Sequence, residues 1–479
     1  MNEDNNQATG SLPRAVRYGL QLPSAVSGKQ IMARFDAYNG VNFPMDTPSQ
    51  EIRFNISSDN FLLGSQAVLQ FKIQNSESST VLKLMNSAND VIEEMRIESN
   101  GQILEQLDGY NVYCSILDNY KSDSDGVNVA SFEGKPKEVT ANFTTADLLE
   151  SESVLKNADA EPTQKTYSLR FRSGFLSGGA MKKAIPLMNT GGFQIVIRLA
   201  SIADAFVVCN DQGLQRDADN HYLNTDENVT QVSIIQPRIY CPTFEITDPN
   251  FYNRYQTLLS SSGITWSGQT SRRYVNYLGA GEGPSILQLN DRSLSLRGFV
   301  SAIRRNAEGV TADFSQAMDG SDIRDASNIV NTLCYENTKV VQYVYRISGK
   351  QYPMSNIDYN QNKISQAFFE NIKLFSDMKE PRTVLDETTF KASSEEPDDT
   401  ANSSLYRTAN PKGTLAVDLK KYCCNDQLSL TGLPTALSTL PSTVEIKCES
   451  DSTKSRVDTF SICDALYTLD AMGQFSSAF

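Results

Sequence analysis

Apolar residues along this chain recur at every second position in short runs, and almost every run is closed by Gly, Pro, Asp or Ser. Alternation of this kind predicts β-strands with one buried and one wet face, arranged as an antiparallel sheet. It is clearest near the end of the sequence. Lys412 to Lys421 reads as strand and turn, followed by Leu428–Leu433, Ser442–Cys448 and Thr459–Cys463, and the pattern closes on Ala465–Gly473. The first half has the same texture in Glu51–Ile56, Phe61–Leu63, Ala67–Ile73 and Val91–Ile97, where Asn100-Gly101 predicts a tight hairpin into Gln102–Leu104. A short helix is predicted from Gly109 to Tyr120, capped by Asp108, with Val112, Ile116, Leu117 and Tyr120 on one face. Strands resume at Tyr167–Phe171, Phe193–Leu199, Val232–Ile235 and Arg238–Tyr240.

The chain then changes character. Asp248-Pro249 is a helix-start signature, a carboxylate cap with Pro at the first helical position. Phe251, Tyr255, Leu258 and Leu259 follow at helical spacing, and Ser260 to Gly263 ends the helix. A second set of strands covers Arg273–Tyr277, Leu294–Ile303 and Lys339–Ile347, and Ile364, Ala367, Phe368, Ile372 and Phe375 mark an amphipathic helix. Polar, weakly periodic insertions are expected at 121–165, 304–337 and 376–410, and a polar arm with Pro13, Arg14, Arg17 and Pro23 at 1–28. Each half thus offers about eight strands, a short helix and long insertions. This layout predicts an all-β protein of two consecutive eight-stranded antiparallel jelly rolls. The expected division is an arm at 1–28, a first roll at 29–245, a linking helix at 246–263 and a second roll at 264–479.

Composition narrows the chemistry. A chain of 479 residues exceeds one ordinary core. Its formal charge of −14 argues against direct wrapping of nucleic acid, and the basic doublets Lys182-Lys183, Arg272-Arg273, Arg304-Arg305 and Lys420-Lys421 are dispersed. The most apolar window, Ile195 to Val208, is broken by Arg198 and Asp204, short of the roughly 18 apolar residues a membrane span requires. The acidic start, Met1 to Asn6, lacks an apolar signal core, so folding in a cytosol or nucleus is expected. In that setting Cys114, Cys209, Cys241, Cys334, Cys423, Cys424, Cys448 and Cys463 read as reduced thiols. With His221 as the sole histidine, a zinc site is not expected.

No catalytic, cofactor-binding or metal-binding residue is predicted. Gly279–Gly283 has the glycines of a phosphate loop, but Pro284 follows where a helix would have to start. Asp123, Asp125 and Gly126 sketch a calcium loop without its later Glu. Asn55, Asn142, Asn228 and Asn402 open glycosylation sequons at about the number chance would place. Trp266 reads as a core or interface anchor. A carboxylate pair of glycosidase type leaves no sequence signature, so a β-sandwich adhesin or glycan-active enzyme stands as the alternative function.

Four passages carry a family resemblance. They are Asn89–Tyr120 with its Asn100-Gly101 turn and Asp108–Asn111 step, and Ile185–Leu187 leading into Gly191–Ile197. The others are Val344–Pro353 followed by Ala367–Glu370, and Leu430–Gly432 through Gly473. In this order they resemble the double jelly-roll major capsid proteins of the adenovirus and tectivirus lineage, and look most like those of virophages and polinton-like viruses. The resemblance spans about residues 30 to 479. It implies a homotrimeric, pseudo-hexagonal capsomer tiling an icosahedral DNA-virus shell, with strands perpendicular to the shell and a Tyr-Pro turn at Tyr352-Pro353. The implied location is the virion, after assembly in host cytoplasm or nucleus. The implied partners are further copies, penton and minor capsid proteins, and an inner membrane or the genome reached through the arm, without sequence-specific nucleic-acid binding.

Overall fold

A computed structural model describes residues 28–47, 50–76, 80–84, 86–120, 132–134, 154–156, 163–178, 183–188, 190–210, 231–247, 249–279, 283–305, 340–359, 365–375, 390, 413–420, 430–449 and 455–479. The arm up to residue 27, most of the three insertions, Asp123, Asp125, Gly126, Asn142, His221, Asn228, Asp248, Cys334, Asn402, Cys423 and Cys424 lie outside them.

The strands of the first half are β1 (Gly28–Asp36), β2 (Asn42–Pro44), β3 (Glu51–Ile56), β4 (Phe61–Leu62), β5 (Val68–Asn75), β6 (Thr80–Leu84), β7 (Ile92–Ser99), β8 (Gln102–Asp108), β9 (Val154–Lys156), β10 (Thr163–Arg170), β11 (Ile185–Pro186), β12 (Phe193–Leu199), β13 (Phe206–Asn210) and β14 (Val232–Ile246). Those of the second are β15 (Ile264–Leu278), β16 (Gly283–Leu289), β17 (Leu296–Arg305), β18 (Val340–Ile347), β19 (Lys350–Asp358), β20 (Leu415–Asp418), β21 (Ser442–Cys448), β22 (Ser455–Leu469) and β23 (Phe475–Ala478).

Two sheets in each half share one connection rule. In the first half β1-β14-β5-β10 faces β3-β12-β7-β8; in the second, β15-β22-β17-β20 faces β16-β21-β18-β19. Counting these strands in chain order, both halves run 1-8-3-6 in one sheet and 2-7-4-5 in the other. This is the jelly roll, built twice. A helix follows the fifth strand in both halves, Tyr110–Asp118 after β8 and Ser365–Phe375 after β19. The last strand of each roll, β14 or β22, has 15 residues and lies between the first and third strands of its sheet. The remaining small strands are additions, with β6, β9 and β13 forming a sheet of their own.

Local chemistry explains much of this. Alternation along β5 buries Leu69, Phe71 and Ile73 while Gln70, Lys72 and Gln74 stay half-exposed. Asn100 and Gly101 both have positive φ, 49° and 79°, as a two-residue hairpin turn requires. In β14, Pro237 has no N–H and Gln236 has φ 50°, so the ladder to β5 shifts register between Ile235 and Arg238. The two expected strands there are therefore one bulged strand.

Several other expectations are corrected. Asp108 does not cap the Tyr110–Asp118 helix; Gly109 precedes it at φ 62°, with no side-chain cap. Leu258 is 52% exposed, whereas Tyr255 and Leu259 are buried and Phe251 packs beside them. The turn after β18 is made by Ser348 and Gly349, φ 52° and 77°, while Tyr352-Pro353 is a cis bond inside β19. Strands β9 and β10 enter the expected 121–165 insertion, and β17 runs on to Arg305. Leu433 forms only an isolated bridge to Leu296. β1 and β16, absent from the predicted strands, are edge strands whose exposed positions break the apolar alternation.

The largest departure concerns the wet face expected for the closing strands. β22 is buried at almost every position. The Tyr110–Asp118 helix of the first roll bridges both cores: Tyr110 and Cys114 stay in the first, while Val112, Tyr113 and Ile116, with Tyr120 just beyond the helix, join the second, Tyr113 on Phe460 at 5.6 Å. In return Trp266, Ala465, Tyr467, Leu469 and Phe475 of the second half complete the first core. Each roll thus fills part of its neighbour. Ile116→Ala, a first-half change in the second core, should cost ~2–5 kcal/mol in urea unfolding. Exposed Leu258→Ala should stay within ~0.5 kcal/mol.

Candidate functional site

Among the described residues no group of three or more His, Cys, Asp or Glu could hold a metal ion, and no helix is long and apolar enough to cross a membrane. The surface with the most developed chemistry is the junction between the rolls. Its centre is two glycines. A Cβ on Gly268 would lie 2.1 Å from the Gly174 carbonyl oxygen, and one on Gly174 would lie 2.5 Å from the Gln269 carbonyl oxygen. Only hydrogen side chains allow these backbones to meet.

Beside this contact lies Glu105 of β8, fully buried. Its carboxylate accepts bonds from Ser173 Oγ, from Gly174 N at 2.9 Å and Phe175 N at 3.3 Å, and from Tyr467 Oη at 3.3 Å across the junction. Burial raises its pKa, and the Ser173, Gly174, Thr270 and Phe175 donors oppose that rise. Trp266 is the anchor expected of it. Its Nε1 donates to the Phe175 carbonyl at 3.2 Å, and its ring packs with Phe175, Tyr467 and Phe475. Edge-to-face contacts of Phe175 with Phe193, Tyr467 and Phe475 extend the cluster into both rolls. Tyr120 stacks on Phe375 at 4.7 Å, bringing the two equivalent helices together.

A second buried charge centre lies where the first roll covers the second. Asp458 of β22, wholly buried, meets Arg304 Nε at 2.6 Å, Arg273 Nη2 at 2.7 Å and Arg456 Nε at 3.3 Å. Burial alone would raise its pKa, but Arg304, Arg273 and Arg456 outweigh that and hold it below the usual carboxylate range. Arg273 also lies against Gly109, where a Cβ would be 2.7 Å from the guanidinium carbon. A side chain there would displace this arginine.

Other residues singled out in the sequence are scattered. Gly279 ends the β15 side of its loop in open space, Asn55 is exposed on β3, and Lys183 Nζ reaches the Thr265 carbonyl at 3.5 Å. Cys114, Cys241, Cys448 and Cys463 are buried free thiols. Sequence reasoning missed Glu105, Asp458 and Arg456, and it read the doublets of Arg273 and Arg304 as dispersed, whereas both arginines converge on Asp458. The available signal was a carboxylate interrupting a strongly apolar strand, as Asp458 does between Val457 and Phe460.

Two outcomes follow. Gly268→Ala should destabilise the protein by at least ~1–3 kcal/mol by prising the rolls apart, whereas Gly279→Ala, with nothing within 4 Å, should be silent in the same melts. Burial pushes the Cys241 and Cys463 thiols up to about 12, Asp291 adding to the rise at Cys463. Native protein treated with a thiol reagent at pH 8 should keep both unmodified by peptide mass mapping, and urea should expose them.

No protein-family model and no curated protein matches this sequence. Solved structures do. VP54 of PBCV-1, as fitted into a reconstruction of the virophage Sputnik, superposes with a TM-score of 0.59 at 7% identity, covering 96% of this chain and 99% of its own. A chain of the Sputnik virophage structure gives 0.57 at 12% identity over 98% and 92%. The Faustovirus major capsid protein gives 0.56 at 9% identity over 94% and 92%. At such identities the likeness is one of fold, and it spans both halves: this chain is a double jelly roll.

Proposed function

We propose that this chain is the major capsid protein of an icosahedral DNA virus, acting as a homotrimeric, pseudo-hexagonal capsomer and not as an enzyme. The observation that carries the reading is the duplicated roll with its unlike faces. Inside the chain, β8 and the Tyr110–Asp118 helix of roll one pack on the β15–β22 sheet of roll two. The equivalent faces, β19 with the Ser365–Phe375 helix on roll two and β1 on roll one, carry exposed apolar side chains. Met354 is 98% and Phe369 43% exposed on one; Met32 is 62% and Ile31 40% exposed on the other. Repeating the internal contact between copies joins roll two of one chain to roll one of the next. Such a head-to-tail contact closes into a ring when its rotation allows, and six rolls in a ring are three chains.

The full-coverage likeness to capsid structures supports the same reading. In it the chain divides into an arm at 1–28, rolls at 29–245 and 264–479, and a linking helix at 246–263. Its partners are neighbouring capsomers, penton and minor capsid proteins, with the arm reaching beneath the shell toward a membrane or the genome. Its place is the virion, after assembly in host cytoplasm or nucleus.

Light scattering should give three copies of a 53.0 kDa chain, about 159 kDa, at micromolar concentration. A stable monomer there would sink the proposal. Met32→Glu and Met354→Glu should each shift the trimer toward monomer while leaving the monomer folded by circular dichroism. Deleting residues 2–28 should leave melting and trimer mass unchanged and reduce lattice formation.

A further inference from the structure

The outer face of β15, β22 and β17 carries more positive charge than its own carboxylate neutralises. Arg304 and Arg456 stand directly opposite each other across the β17–β22 ladder, a placement that like charges disfavour. Asp458, two residues further along β22 and so on the same face, takes Arg304 on Oδ2, and Arg456 and Arg273 on Oδ1. The Arg304 side chain is 4% exposed, that of Arg273 11% and that of Arg456 27%. Arg304 Nε and Asp458 Oδ2 lack hydrogen-bond geometry although they are in ionic contact. The Arg304 Nε–H is therefore not spent in a hydrogen bond to the carboxylate it touches.

Among the described residues, three guanidiniums on one carboxylate leave a local surplus of two positive charges. Asp204, within electrostatic reach of Arg304, lowers the surplus to one. The Tyr110–Asp118 helix starts at Gly109, in contact with Arg273, and its N-terminal end adds positive potential. Burial weighs most on Arg304 and pulls its pKa down; Asp458 and Asp204 oppose this, while Arg456 and Arg273 reinforce it. Unneutralised charge at this depth is costly, so an anion that shares the guanidiniums would be favoured.

We propose that Arg273, Arg304 and Arg456 form a binding site for a compact oxyanion of the phosphate class, held between the two rolls and entered from the side of Arg456. Asp458 spaces the three forks. Arg304 and Arg273, 4% and 11% exposed, lie too deep for a nucleic-acid backbone or a lipid surface to reach, so the proposed class is a small free anion. Bound there, the anion ties β15, β17 and β22 together beneath the first roll. The inference rests on this cluster and is independent of the capsid reading.

The test is calorimetric titration and thermal melting of the full-length protein with inorganic phosphate and with pyrophosphate, at constant ionic strength against chloride. Saturable binding at one site per chain is expected, with a higher melting temperature at saturation. Arg456→Gln, at the open side of the cluster, should weaken binding about tenfold or more. Should Arg304→Met fail to fold, Arg456→Gln still decides the matter. A chloride control that stabilises equally, without saturation, would reduce the effect to screening and overturn the site. So would Arg456→Gln protein that melts lower yet binds phosphate as tightly as the parent. Competition by a single-stranded oligonucleotide would show the site open to polymers and overturn the small-anion assignment.

Discussion

The approach of Gly174 to Gly268 fixes how the two rolls sit against one another. At this distance neither backbone tolerates a side chain on the other, so contact is decided by main-chain shape. Everything nearby depends on it. Glu105 can collect donors from Ser173, Gly174 and Phe175 on its own side and from Tyr467 across the junction only while the backbones touch. Trp266 can bond the Phe175 carbonyl for the same reason. Its indole then takes its place in the first core beside Phe175, Tyr467 and Phe475.

The two buried carboxylates illustrate different solutions to one problem. Glu105 is met by neutral donors, which oppose but do not cancel the rise in its pKa caused by burial. Asp458 is met by three arginines and keeps its charge easily. Buried ionic groups contribute little net stability compared with apolar packing, but breaking one partner is costly. Both carboxylates therefore act against alternative packings of the rolls.

Strand content and order were readable where alternation was strong. Glu51–Ile56 and Ser442–Cys448 each bury every second residue against a single core, and their period of two marks them. β1 and β16 were not readable, because β1 is exposed on both sides and in β16 the exposed Ile286 breaks the alternation set by the buried Leu287 and Leu289. Val232–Ile235 and Arg238–Tyr240 looked separate because Gln236-Pro237 interrupts the pattern, yet the bulge keeps one strand. The Asp108 cap failed for a tertiary reason. Gly109 adopts φ 62° with Arg273 of the other roll pressed against it, and no local rule anticipates a residue so distant in sequence. At the junction the anchor role of Trp266 was legible from its isolation, but Glu105 was not, since its partners come from three separate segments.

By itself the sequence determined the all-β class, the positions of most core strands, the helix starting at Pro249 and the layout of two similar halves. These are local properties, set by side-chain period and turn chemistry within a few residues. Tertiary structure alone decided the strand order shared by both rolls, the exchange of Tyr113 and Trp266 between cores, and the burial of β22 on both faces. It also decided the convergence of Arg273, Arg304 and Arg456 on Asp458. The physical reason is that a strand's inner face is written in its own alternation, while its outer face stays wet or goes dry according to what a distant segment lays upon it. Here that segment is the Tyr110–Asp118 helix, and only the folded chain brings it there.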